Sequence, residues 1–132
     1  TTEIYTLSLH DALPIWFPWD GIRSTYDVWL PMAYWSFRTE EHADPLYYTA
    51  ENVRLLRQNL GDGSAVVHGV GGIGAADGSE LPDPGEPLAA LGDLDGFLAA
   101  LEEVGAVGGS IYDWVTTGPE SRQRLAAAFA GS

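Results

Sequence analysis

The chain has 132 residues with no cysteine, 19 acidic residues against six basic ones, all arginine, and a net charge of −13. No disulfide or thiolate metal site is therefore possible, and an acidic surface of this kind repels a nucleic-acid backbone. Hydrophobic residues make up 45% and charged residues 19%, a globular balance, and no apolar run approaches the ~20 residues that span a bilayer. The absence of lysine beside abundant Ala, Gly, Arg and Pro is what a GC-rich gene encodes and carries no functional weight.

The first fifteen residues, "TTEIYTLSLHDALPI", stand apart. They have no basic start, and His10 and Asp11 interrupt the apolar stretch, so they lack the marks of a signal peptide. Ile4, Leu7, Leu9 and Leu13 fit neither a helical stripe nor a strand alternation, which leaves a weak strand or a frayed terminus. The string also resembles something outside biology: one reading frame of a common sequencing-library adapter encodes it residue for residue. Thr1–Ile15 is therefore set aside as a cloning or assembly remnant. The expectation that follows is that residues 16–132 form the C-terminal piece of a longer protein. Their charge is −11, because Glu3 and Asp11 leave and no arginine does.

Three similar blocks follow, each an apolar run, a loop and a helical pattern. The runs are "YDVWLPMAYW" (about 26–35), "SAVVHGVGGI" (about 64–73) and "AVGGSIYDWV" (about 106–115). Continuous apolar runs suit parallel strands buried on both faces. Pro31 cannot donate to a strand ladder, so a local bulge is expected there. The first helix is expected over Ala50–Leu60, capped by Thr49 and stopped by Gly61. The second is expected over Leu94–Val104, with Asp93 as N-cap; Leu94, Phe97, Leu98 and Leu101 form its buried stripe and Gly105 ends it. The third runs from Pro119 to Ala130, with Thr117 and Glu120 as a capping box and Leu125 and Phe129 on its apolar face.

The order is thus βαβαβα, with short helix-to-strand links and long strand-to-helix loops. The long loops fall at the carboxyl ends of the strands, where α/β folds bind ligands. Three parallel strands leave open edges, which predicts aggregation through unpaired backbone groups. The chain is short for a barrel of roughly 250 residues, and ends on an amphipathic helix. These features together suggest the last three βα units of a (β/α)8 TIM barrel. A fragment of an open doubly wound parallel sheet is the alternative.

Candidate chemistry gathers at the strand ends. Tyr34, Trp35 and Arg38 follow the first run: aromatic faces stack on the apolar C–H surface of sugar rings, and Arg38 donates to hydroxyls or a carboxylate. Core packing and a solvated charge are the plainer alternatives. Asp113, between Tyr112 and Trp114, could serve in acid/base work, bind a substrate hydroxyl, or simply accept from nearby backbone amides. Gly69, Gly71 and Gly74 have the G-x-G-x-x-G spacing. A dinucleotide site would need a helix to begin at once, whereas about twenty residues intervene. A phosphate site between the last two barrel loops is a further alternative, and room for packed side chains inside the barrel is the simplest. His68 reads as a core histidine, and His42 stands on a distant acidic loop, so no metal site and no cofactor are expected.

By "YDVWLPMAYWSFR", "VVHGVGGIG" and "GFLAALEEVGAVGGSIYDW" the chain resembles the C-terminal part of bacterial glycoside-hydrolase-like TIM barrels, over nearly all of 26–130. The resemblance implies carbohydrate binding by Tyr34, Trp35, Tyr112 and Trp114. Such enzymes use a pair of carboxylates. The resemblance places at least one of them on a fourth strand absent here, and the seventh strand ends in "GGIG" without a Glu. The fragment is therefore expected to be inactive. The competing functions are a non-catalytic carbohydrate-binding barrel and a phosphate-binding barrel enzyme of small-molecule metabolism. The expected partner is a carbohydrate or other small molecule, with neither nucleic acid nor membrane; localisation is left open.

Overall fold

The structure, a computed structural model, describes residues 17–77 and 85–130. The adapter-like segment with His10 and Asp11, and the middle of the Pro/Gly-rich insertion, lie outside the described residues. In chain order come a short helix α1 (Trp19–Ile22), β1 (Met32–Ala33), two 3₁₀ turns (Trp35–Phe37 and Glu40–Ala43), α2 (Pro45–Leu60), β2 (His68–Ala75), α3 (Asp93–Glu103), β3 (Gly108–Thr117) and α4 (Pro119–Phe129). The three strands form one parallel sheet in the order β1-β2-β3. The expected βαβαβα order and mixed α/β class are thus present.

The first strand is much shorter than its apolar run. Trp29 pairs with Val67, and Met32 and Ala33 pair with Val70 and Gly71, all at one sequence offset. No residue is inserted at Pro31, so the bulge expected there is absent. Its carbonyl accepts from the Val70 amide at 3.0 Å, but its ring nitrogen has no proton to donate, and the ladder is interrupted rather than bent. The bulge lies instead at the carboxyl end of the other strands. Ile73 pairs with Tyr112 and Ala75 with Thr117, so the single residue Gly74 faces residues 113–116 of β3. Gly74 has φ +48°, and a methyl group there would collide with Thr116; only glycine fits that approach.

Helix ends differ from the sequence expectations for local reasons. α2 begins at Pro45, with the Asp44 Oδ1 accepting from the Tyr47 amide at 2.9 Å. An Asp-Pro pair at N-cap and first position outcompetes Thr49, which is buried inside the helix. Gly61, at φ 64°, ends it as expected. α3 contains Asp93 as its first residue, with Gly92 at the cap. The capping box of α4 does not form: the Thr117 hydroxyl donates to the Asp113 carbonyl at 2.6 Å and Glu120 pairs with Arg124 at 3.1 Å.

α2, α3 and α4 cover one face of the sheet. Towards the amino ends of the strands, Trp29, Leu56, Leu60 and Val67 form one apolar cluster with Val53 and Ala65. Towards the carboxyl ends, Ala33, Trp35, Tyr48, Phe97 and Leu101 form a second. The glycines of β2 and β3 make this close packing possible. A methyl on Gly69 or Gly109 would strike Leu101, and one on Gly71 would strike Trp35, Phe97 and Ile111. The room is used by side chains of the helix layer and of the turn after β1, not by side chains packed on the opposite face. Because Gly69 faces α3, strand alternation turns His68 and Val70 to the opposite face. Leu30, Met32, Tyr34, Ser110 and Tyr112 share it, flanked by Val28 and Val66. No described element packs there, and Val28, Val66 and Tyr112 are 42%, 40% and 51% exposed.

Candidate functional site

The carboxyl ends of the strands carry the candidate residues, but the fold separates them into distinct groups. Tyr34 and Tyr112, on adjacent sides of β2, meet with ring centroids 6.0 Å apart and planes tilted by 37°. They stand on the uncovered face. Burial, and then the proximity of Tyr112, raise the Tyr34 phenol above its usual pKa.

Trp35 turns the other way. The 3₁₀ turn after β1 carries it into the upper core, where it is 1% exposed. Its Nε1 donates to Asp93 Oδ2 at 2.8 Å and its ring lies 5.5 Å from that of Phe97. Trp35 thus takes the core-packing role and offers no open face for stacking. Arg38 is similarly committed: its Nε donates to the buried Tyr48 hydroxyl at 2.9 Å, with the guanidinium 5.5 Å from the Tyr48 ring centroid.

Asp113 organises the bulge. Its Oδ1 accepts from both the amide and the hydroxyl of Thr116 at 3.0 Å, and its carbonyl accepts from Thr117. These bonds close a tight turn that throws Trp114 and Val115 outward, at 71% and 52% exposure. Bulges re-aim side chains in this way beside binding sites. Trp114 then lies under the Arg122 guanidinium of α4, 3.8 Å from ring centroid to Cζ, while Arg122 donates to the Trp114 carbonyl at 2.6 Å. A hollow of about 350 Å³ opens beside them, lined by Ile111, Trp114, Thr117, Arg122, Leu125 and Phe129. A larger recess, about 760 Å³, runs along the outside of α2 to the Gly61 turn, away from the strand ends.

The contact that sequence pattern missed is made by Asp77. From the loop after β2, its Oδ2 accepts from the Ser121 amide and hydroxyl, both at 2.8 Å. Its carboxylate lies against Gly118, where a methyl group would coincide with it. Burial pushes the Asp77 pKa up, but the Ser121 amide and hydroxyl and the Gly118 amide outweigh it and hold the group below the usual carboxylate value. The partners are separated by 44 positions, so no local spacing announces them. Asp93 is also tied, accepting from the Ala90 amide at 3.1 Å as well as from Trp35.

Of the six residues singled out from the sequence, Tyr34 and Tyr112 are brought into ring contact. Asp113 and Trp114 share the bulge, and Trp35 and Arg38 both turn to the helix-covered core, Trp35 within it and Arg38 against Tyr48. His68 Nε2 lies 3.2 Å from Ser110 Oγ on the uncovered face. No cluster of three or more metal-ligating side chains occurs among the described residues. The strand β2 does not run into a helix: α3 starts at Asp93, so its glycines do not deliver a pyrophosphate to a helix end. No known protein family, curated protein or solved structure matches this chain.

Proposed function

We propose that this chain belongs to a glycoside-hydrolase-like (β/α)8 barrel and supplies part of a carbohydrate-binding cleft, without the carboxylate pair that hydrolysis requires. The observation that carries the reading is the one-sided parallel sheet. Helices cover one face, and the other is apolar and ends in the Tyr34–Tyr112 pair at the carboxyl edge. A barrel has helices outside, side chains packed inside and ligands at that edge, an arrangement that this sheet suits.

Exposed aromatics at the edge suit sugar rings. Among the described residues, three carboxylates near the strand ends are held by internal partners: Asp77 by Ser121, Asp93 by Trp35 and Ala90, Asp113 by Thr116. None of these three is paired with a second described carboxylate across an open gap, as acid/base hydrolysis of a glycoside needs. This also suits a barrel that binds carbohydrate without cleaving it; a carboxylate pair encoded upstream of Trp16 would separate that reading from an enzyme. The phosphate-binding alternative is disfavoured by charge, because carboxylates already stand at the starts of the helices that follow the strands, Asp44 at α2, Asp93 at α3 and Asp77 at α4.

The test is intrinsic tryptophan fluorescence of the chain titrated with neutral oligosaccharides and, separately, with inorganic phosphate. A saturable response to sugar is expected, weakened about tenfold in Tyr112→Ala by the loss of one stacking face. No response to any sugar with a saturable response to phosphate would overturn the proposal.

A further inference from the structure

The helix layer is unevenly packed. Leu94, Phe97, Ala100 and Leu101 of α3 are buried, whereas in α4 Ser121 alone is. Yet α4 carries a regular stripe, because Arg122, Leu125, Ala126 and Phe129 recur at i, i+3, i+4 and i+7 and so share one side of the helix. That stripe does not close onto β3. The hollow of about 350 Å³ lies between them, with Ile111 and Trp114 as its strand residues. Ile111 packs against the core under the helices, so the hollow belongs to the helix-covered side of the sheet, opposite Tyr34 and Tyr112.

Arg122 is the one charged side chain in the lining. The hydroxyl of Thr117, also there, already donates to the Asp113 carbonyl. The guanidinium of Arg122 is fixed by the Trp114 ring beneath it and by its bond to the Trp114 carbonyl, and neither contact neutralises it. Its Nε is shielded from solvent and has no hydrogen-bond acceptor among the described residues. No described carboxylate pairs with it, although Arg23, Arg54 and Arg124 each hold one. A shielded donor without an acceptor is costly, and a fixed planar guanidinium matches a carboxylate in shape and charge.

We propose that the hollow between β3 and α4 binds a small amphiphilic monocarboxylate, its apolar body against Leu125, Phe129 and Trp114 and its carboxylate on Arg122. Apolar walls around one convergent polar group, in a space of this size, are the general form of a small-molecule site. A phosphate ester fits less well, because its second charge meets a lone cation within a chain of net charge −13. The site stands apart from the proposed sugar cleft and does not depend on it.

The experiment is a calorimetric titration of the full chain at neutral pH with octanoate, using octanamide as the uncharged comparator. Octanoate should bind saturably, and octanamide at least roughly tenfold more weakly. Arg122→Gln removes the charge and should bring octanoate down to the level of octanamide. Ala126→Phe sets a ring into the hollow from an exposed position of α4. It should keep the fold while octanoate affinity drops by roughly tenfold or more. A neutral oligosaccharide should act on Ala126→Phe as on the native chain, which keeps the two sites distinguishable. The proposal is overturned if octanoate does not bind, or if octanamide binds as tightly. It is equally overturned if Ala126→Phe binds octanoate as the native chain does, since the ligand would then sit elsewhere, as on the uncovered sheet face. A folded Arg122→Gln chain with native octanoate affinity overturns it too; should that variant not fold, the octanamide comparison and Ala126→Phe decide.

Discussion

At the scale of single residues, this chain spends its polar side chains on holding its own loops. Trp35 shows this most clearly, because its indole joins the turn after β1 to the first residue of α3. Trp35→Phe keeps the apolar bulk but leaves Asp93 with only its Ala90 amide partner. It should cost about 1.5–3 kcal/mol in urea unfolding, the range for one hydrogen bond to a charged group. Trp35→Ala also opens a cavity, and about 3–5 kcal/mol is expected. Asp77 gives a pH prediction with a definite sign. Its folded pKa lies below the unfolded value, so its contribution is present above the unfolded pKa and is lost as pH falls through the folded one. Melting temperature should therefore fall on acidification below about pH 4, the usual aspartate range. Glu51 and Asp62 are depressed as well, by the Arg54 and Ser64 hydrogen bonds respectively, and will contribute. The part that belongs to Asp77 is the difference between the native and Asp77→Asn acid melting curves. Two superimposable curves would remove its role.

At the scale of elements, the glycines of β2 set how near α3 can come to the sheet. Gly71 is the most constrained, since an added methyl meets three side chains, Trp35, Phe97 and Ile111, at once. Gly71→Ala should cost about 1–3 kcal/mol through overpacking, whereas Gly92→Ala, with open space around it, should leave the unfolding midpoint nearly unchanged. The same elements explain what could be read from sequence. α3 was legible to within one residue because its apolar stripe is regular and its flanking glycines are close. α2 starts five residues earlier than its apolar positions imply, because Asp44 and Pro45 act on the backbone rather than through burial. β1 was overestimated: hydrophobicity marks which residues are buried, but pairing needs an amide at Pro31. The bulge over 113–116 was placed on the wrong strand for a related reason. A proline suggests irregularity locally, while the real one arises where Asp113 and Thr116 close on each other and Gly74 yields to them. The site was least legible where it depends on distance along the chain, as in the reach of Asp77 to Ser121.

At the scale of the whole molecule, the asymmetry of the sheet makes the strongest demand. Hydrogen bonds direct Trp29, Pro31 and Ala33 toward β2, which turns the backbone groups of Leu30 and Met32 outward. Among the described residues no strand pairs with that edge, nor with the outer edge of β3. The face between these edges presents Val28, Leu30, Met32, Val66, Val70 and two tyrosines, interrupted by His68 and Ser110 but by no carboxylate, in a chain with 19 acidic residues. Among the described residues no carboxylate stands in these strands' positions on that face, and an apolar face bounded by free edges favours association. The high net charge opposes it through repulsion that salt screens. The two effects together predict a salt-dependent equilibrium: sedimentation should show larger species as ionic strength and concentration rise, accompanied by binding of a hydrophobic dye. Placing a charge on the open face, as in Val66→Glu, should shift that equilibrium toward the monomer by roughly tenfold or more, because an unpaired carboxylate resists burial. It should leave the melting temperature of the monomer nearly unchanged, since Val66 is 40% exposed and outside both apolar clusters. A Val66→Glu chain that associates as the native one does, or that loses its cooperative melt, would show that this face is not the adhesive surface.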